Sequence, residues 1–176
     1  MDSSGSERTL LLLRHAKSSW AEPGTGDFDR PLAPRGRRSA PLVGAEMVRR
    51  GWLPQRVLCS PARRTRETWD LVAAVLRPVP ATFEPGLYLA APAALLRLVR
   101  GTPPEVGCLL VIGHNPGLQE LGLLLADPES GADFGRLRAK LPTAGLVVLR
   151  QAAGPWSAVA AGSLRLEAFV TPQDLA

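Results

Sequence analysis

The stretch Thr9-Leu10-Leu11-Leu12-Leu13 ends on Arg14 and His15, and it constrains the fold more than any other feature of the chain. Four consecutive leucines leave no polar face, so a strand built from them must be covered on both sides. Such strands belong to parallel sheets flanked by helices. The run is far too short to cross a bilayer, which takes about 20 residues. A second apolar run, Cys108-Leu109-Leu110-Val111-Ile112-Gly113, ends on His114. A third, Val57-Leu58-Cys59, leads into Ser60-Pro61-Ala62-Arg63-Arg64. The chain has two histidines, and both follow such runs. Either one alone is more simply a core or surface residue. Together they point to a crevice, because open α/β sheets bind ligands beyond the C-terminal ends of their strands.

The rest of the chain alternates in the same way. Strands are expected at 9–13, 56–59, 82–83, 107–112, 145–150, 156–161 and 164–170, with 151–155 as a hairpin link. Helices are expected at 35–50, 61–76, 91–99 and 118–125. Gly51 suits the helix stop after Arg50, and Pro61 suits a helix start. Pro41 falls inside the first helix and is expected to disturb its first turn. The polar segment 127–142 reads as an insertion. This pattern predicts an α/β fold, a three-layer α/β/α sandwich around a mostly parallel central sheet. Residues 1–8 are polar and rich in Ser, and are expected to form a disordered tail before one domain at 9–176.

Composition narrows the function classes. A chain of 176 residues fits one domain. Lys and Arg total 21 against 16 Asp and Glu, a net charge of +5, with arginines clustered at 35–38, 49–56 and 63–66. Single-strand nucleic-acid binders interleave such charge with aromatics, and these clusters do not. The charge is read as solvated helix faces and steering toward a phosphorylated partner, with no nucleic acid or membrane partner expected. Cys59 and Cys108 lie in apolar runs and are expected to be buried free thiols. Arg64 falls five positions after Cys59, one short of the spacing a cysteine phosphatase loop requires. The N-terminal residues have no basic start or apolar core of a signal peptide, so a cytoplasmic location is expected. No metal-ligand cluster is visible, and neither a metal nor another cofactor is expected.

Several blocks carry a family resemblance. Arg14-His15-Ala16 resembles the Arg-His-Gly signature of the histidine phosphatase superfamily, branch 1, whose members include phosphoglycerate mutases. Ser60-Pro61-x-x-Arg64-x-x-x-Thr68 is similar to its second arginine motif, and Gly113-His114 to its second histidine. Ala16-Lys17-Ser18, Asp29-Arg30-Pro31-Leu32 with Gly36, Leu87-Tyr88 and Gly113-His114-Asn115-Pro116-Gly117 resemble the small phosphohistidine phosphatases of the SixA group. The blocks run in order from about Leu10 to Gly117.

The resemblance implies a phosphoglycerate mutase-like fold and a metal-free phosphatase. In that reading His15 is the nucleophile and forms a covalent phosphohistidine that water hydrolyses. Arg14 and Arg64 clamp the phosphoryl oxygens, and His114, protonated when phosphate is bound, adds a third donor. Ser18 and Asn115 are further candidates for phosphate or substrate contact. Glu84, in Phe83-Glu84-Pro85, is the candidate proton donor. Arg63 is adjacent to Arg64 but off the motif spacing, and reads as a surface or substrate-recognising residue. The expected substrate is phosphohistidine in a signalling protein, because the labile P–N bond makes an acid less necessary. The alternatives are a broad small-molecule phosphomonoesterase and, in another class, a non-catalytic phosphate-binding module. Oligomeric state is open at this point.

Overall fold

The computed structural model describes residues 5–176, so residues 1–4 of the expected tail lie outside the described residues. Six strands form one sheet: β1 (Arg8–Arg14), β2 (Arg56–Cys59), β3 (Ala81–Phe83), β4 (Cys108–Gly113), β5 (Leu146–Gln151) and β6 (Arg165–Val170). Their spatial order is β3-β2-β4-β1-β5-β6. β3, β2, β4 and β1 pair in parallel, whereas β5 runs antiparallel to both β1 and β6. The helices are α1 (Pro34–Arg50), α2 (Arg63–Ala73), α3 (Pro92–Arg100), α4 (Gly117–Leu125), α5 (Ala132–Ala139) and α6 (Pro172–Leu175).

The leucine run explains the layering. Successive strand side chains point to opposite faces, so Leu11 and Leu13 pack with Val43, Met47 and Val72 of α1 and α2. Leu10 and Leu12 pack on the other side with Leu95, Leu118, Leu121 and Leu137 of α3, α4 and α5. All four leucines are fully buried. Each such side chain contributes on the order of 1.5–3 kcal/mol. No helix among the described residues is long and apolar enough to cross a membrane.

Several details differ from the sequence reading. β1 starts at Arg8, because that buried guanidinium donates to the carbonyls of Pro104, Val106 and Gly154. α1 runs unbroken through Pro41. α2 begins at Arg63, two residues beyond Pro61, and stops at Ala73, short of Leu76. The expected strand at 156–161 is instead a 3-10 turn at Trp156–Ala158, and the hairpin link extends over 152–164. Trp156 is buried there and donates its indole N–H to the Val106 carbonyl, so its apolar surface anchors a loop instead of pairing in the sheet. The 127–142 segment contains α5, which buries only Leu137 and so lacks the periodic signal of a helix.

Gly36 joins this scaffold to the loop after His15. A Cβ at that position would overlap the Lys17 carbonyl oxygen and lie 2.9 Å from the Lys17 nitrogen. Alanine in a helix interior normally stabilises by roughly 0.5–1 kcal/mol over glycine. Here Gly36→Ala is expected to reverse that sign and cost about 1–3 kcal/mol, as overpacking does. Urea denaturation checks it, and a gain in stability would show that the α1 entry is loose.

Candidate active site

The register of β1 and β4 builds the centre of the site. Leu13 lies opposite Ile112 and Arg14 opposite Gly113, so His15 and His114 emerge side by side. The His15 N–H continues the ladder to the Gly113 carbonyl at 3.1 Å, and the two imidazole centroids are 5.4 Å apart. β2 lies on the other side of β4, and Ser60 N–H donates to the Ile112 carbonyl at 3.0 Å. The chain then enters α2, whose first turn carries Arg64 to the same edge.

His15 Nδ1 is 2.8 Å from the Ala16 carbonyl oxygen. A carbonyl can only accept, so Nδ1 carries the proton and Nε2 keeps its lone pair. His114 Nδ1 accepts from Arg64 Nη2 at 3.2 Å, which leaves Nε2–H to donate to Ser60 Oγ at 2.7 Å. Both imidazoles are therefore neutral in this arrangement. Burial pushes His15 down to about 3 and His114 to about 4, and the nearby guanidiniums add to the effect. This structure therefore has His114 neutral, where the resemblance implied a protonated ring once phosphate is bound.

The two arginines are fixed by carbonyls. Arg14 Nη1 donates to the Leu141 carbonyl at 2.9 Å, and Arg64 Nη1 to the Asp27 carbonyl at 2.7 Å. The Nε atoms of both are buried and have no hydrogen-bond partner among the described residues. Two orphaned cationic donors beside two neutral imidazoles form a cradle suited to a tetrahedral oxyanion. Arg64 is itself only 2% exposed. Thr68 ties the cradle together, since its hydroxyl accepts from Ala16 N–H at 3.0 Å and donates to the Arg64 carbonyl at 2.7 Å.

The other sequence candidates lie in less direct positions. Ser18 Oγ accepts from Arg30 Nη1 at 2.8 Å, and so holds the loop after His15. Asn115 donates to the Leu141 carbonyl and to Gln119, which fixes the entry to α4 beside Arg14. Glu84 turns away and caps a 3-10 turn, its carboxylate accepting from Gly86 N–H at 3.0 Å. Arg63 is exposed and pairs with Glu67 and Glu22. Cys59 is buried beneath the site, where desolvation raises its pKa, and desolvation likewise pushes the Cys108 thiol up to about 12.

The carboxylate that reaches the cradle is Asp27, which sequence reasoning missed. Its Oδ2 accepts from Arg64 Nη2 at 3.1 Å and from the Tyr88 hydroxyl at 2.6 Å, and its Oδ1 pairs with Arg30. The Tyr88 hydrogen bond and the Arg64 charge pull it down to about 2. Tyr88 also sets its ring edge-on to His114 at 5.5 Å and to Phe28 at 5.0 Å. Asp27 sits in a Gly- and Pro-rich loop with no strand end to mark it. A separate cleft of about 750 Å³, lined by Arg35, Arg38, Leu42, Lys140 and Phe169, contains none of these groups.

Known proteins share this fold. The model of the histidine phosphatase superfamily (branch 1) matches residues 10–88. The candidate phosphohistidine phosphatase SixA from Agrobacterium tumefaciens superimposes with a TM-score of 0.78 at 30% identity, covering 94% of this chain and 98% of that one. The chain belongs to the histidine phosphatase superfamily, in its SixA-type group. It is a phosphatase with the fold of the phosphoglycerate mutase-like proteins. The candidate SixA from Nakamurella multipartitia gives 0.80 at 32% identity over 96% and 98% of the two chains. An uncharacterised Mycobacterium tuberculosis protein is 39% identical over 170 residues, 92% of this chain and all of that one.

Two expectations follow from this geometry. Thr68→Val keeps the shape but leaves Ala16 N–H unpaired, so it is expected to cost about 1–3 kcal/mol and to lower phosphatase turnover, read by denaturation and steady-state assay together. His15 is held neutral in the fold but titrates near 6.5 once unfolded. The unfolded chain therefore binds more protons below that pH, and stability falls as pH drops from 6.5 toward 3. Replacing His15 with Asn should lower the slope of the stability–pH curve across this window, with His114, held down to about 4, supplying part of what remains. An unchanged slope would mean that His15 is not the buried neutral group drawn here.

Proposed function

We propose that this phosphatase removes phosphate from phosphohistidine in a protein, through a covalent intermediate on His15. The observation that carries the reading is the hydrogen bond from His15 Nδ1 to the Ala16 carbonyl, which leaves Nε2 as the nucleophilic lone pair beside Arg14 and Arg64, whose Nε atoms are buried and unpartnered among the described residues. Nε2 attacks phosphorus, the bond from phosphorus to the substrate imidazole breaks, and that imidazole departs. Water then attacks the phosphorus, the bond to Nε2 breaks, and inorganic phosphate leaves. Arg14 and Arg64 meet the charge spread over the phosphoryl oxygens, and His114, once Arg64 releases its Nδ1, adds a further donor.

The substrate class is supported from two directions. Two solved structures of 30% and 32% identity that align over nearly the whole chain are candidate phosphohistidine phosphatases. The carboxylates of the chain also suit this leaving group. Glu84 is engaged with Gly86 in a 3-10 turn, and Asp27, at the cradle, is held ionised and so offers no proton to a departing alkoxide. A phosphoramidate bond does not require one.

Hydrolysis in EDTA should test the reading. Wild type is expected to dephosphorylate a histidine-phosphorylated protein quickly and p-nitrophenyl phosphate slowly. His15→Ala should abolish both while remaining folded. Arg64→Ala is expected to cost on the order of 10²-fold or more, as loss of a preorganised donor does. Turnover retained in His15→Ala would overturn the covalent route. Efficient ester hydrolysis would overturn the substrate assignment.

A further inference from the structure

The cradle is built from cations, and a phosphohistidine leaves as a cation-prone ring. Arg14, Arg64 and Arg30 surround two imidazoles, and Asp27 is the carboxylate bonded to this cluster. Its side chain is 38% exposed while that of Arg64 is 3%, so Asp27 covers Arg64 from the solvent side. A substrate reaching Arg64 from solvent would pass this carboxylate. Tyr88 and Arg30 clamp the carboxylate there from two directions. The exposed Phe28 packs edge-on against the ring of Tyr88 beside this carboxylate.

We propose that the Asp27 carboxylate is the specificity-determining residue of the site, selecting a protonated imidazole leaving group over an oxygen leaving group. This rests on the reading of a phosphohistidine substrate. A phosphorylated imidazole that is protonated on its other nitrogen breaks its bond to phosphorus and leaves as neutral imidazole. The same ring unprotonated would have to leave as an anion. A fixed carboxylate at the mouth attracts the protonated ring and offsets the repulsion of the surrounding guanidiniums. No proton need pass to or from Asp27, which suits a carboxylate that its hydrogen bonds keep ionised.

For an ester the same carboxylate acts in the opposite direction. The phosphoryl group arrives with its full negative charge, the leaving oxygen develops more, and nothing on the substrate compensates Asp27. The carboxylate also competes with the phosphoryl oxygens for Arg64 Nη2. Removing its charge should therefore change the two reactions in opposite directions, which loss of structure does not do.

The experiment compares kcat/KM of wild type and Asp27→Asn on a phosphohistidine peptide and on p-nitrophenyl phosphate, with melting temperatures recorded alongside. The amide should lower phosphohistidine turnover about 10- to 100-fold, as loss of a charge-assisted contact does, and should raise ester turnover. Tyr88→Phe leaves the carboxylate and removes the hydroxyl that holds it. It is expected to shift the same ratio in the same direction by less, and it serves if Asp27→Asn does not fold. Equal losses on both substrates, or an unchanged ratio, would overturn the assignment of Asp27 and leave the substrate reading intact. Failure of wild type to act on phosphohistidine would overturn both.

Discussion

The parallel register between β1 and β4 is the constraint on which the rest of the structure depends. Because Arg14 lies opposite Gly113, His15 and His114 leave the sheet at the same height with their rings 5.4 Å apart. A slip of one residue would turn Leu11 and Leu13 away from α1 and α2, and Leu10 and Leu12 away from α3 and α4. The hydrophobic layers on both faces therefore hold the register, and the register holds the site. Stability and chemistry share one cause here: the leucine run buries the sheet and aims the imidazole.

Burial then sets the charge states. Four basic side chains packed together cannot all be charged in a dry crevice without large cost. The two imidazoles resolve this by staying neutral, and each finds a defined partner for its ring N–H, Ala16 for His15 and Ser60 for His114. The arginines remain cationic and are held by backbone carbonyls and by Asp27. In the proposed mechanism a neutral nucleophile and fixed cations are what attack on a phosphoryl group needs, and the same desolvation favours both.

Legibility differed between elements for physical reasons. Strands with all-apolar runs, such as β1 and β4, were read to within a residue because nothing else in the chain could bury them. α1 was read through its Gly51 stop, and its Pro41 did not interrupt it. α5 was missed because a helix that buries one leucine carries almost no period. The stretch around Trp156 was misread because apolar residues that anchor a loop look like a short strand until their partner, the Val106 carbonyl, is known. In the site, Arg14, His15, Arg64 and His114 were legible from strand ends and motifs, whereas Asp27 was not. It reaches Arg64 across 37 positions of sequence, from a loop whose composition announces only turns.

By itself the sequence determined the layered sheet and the edge at which the chemistry sits. Long apolar runs have one place to go, and the residues that end them are carried along. It also determined which imidazoles and guanidiniums stand at that edge. Only the tertiary structure decided their electrical condition: which nitrogen of His15 is free, that His114 is neutral, and that an aspartate faces Arg64. Those outcomes depend on hydrogen bonds between loops far apart in the chain, and such bonds leave no period or spacing to read.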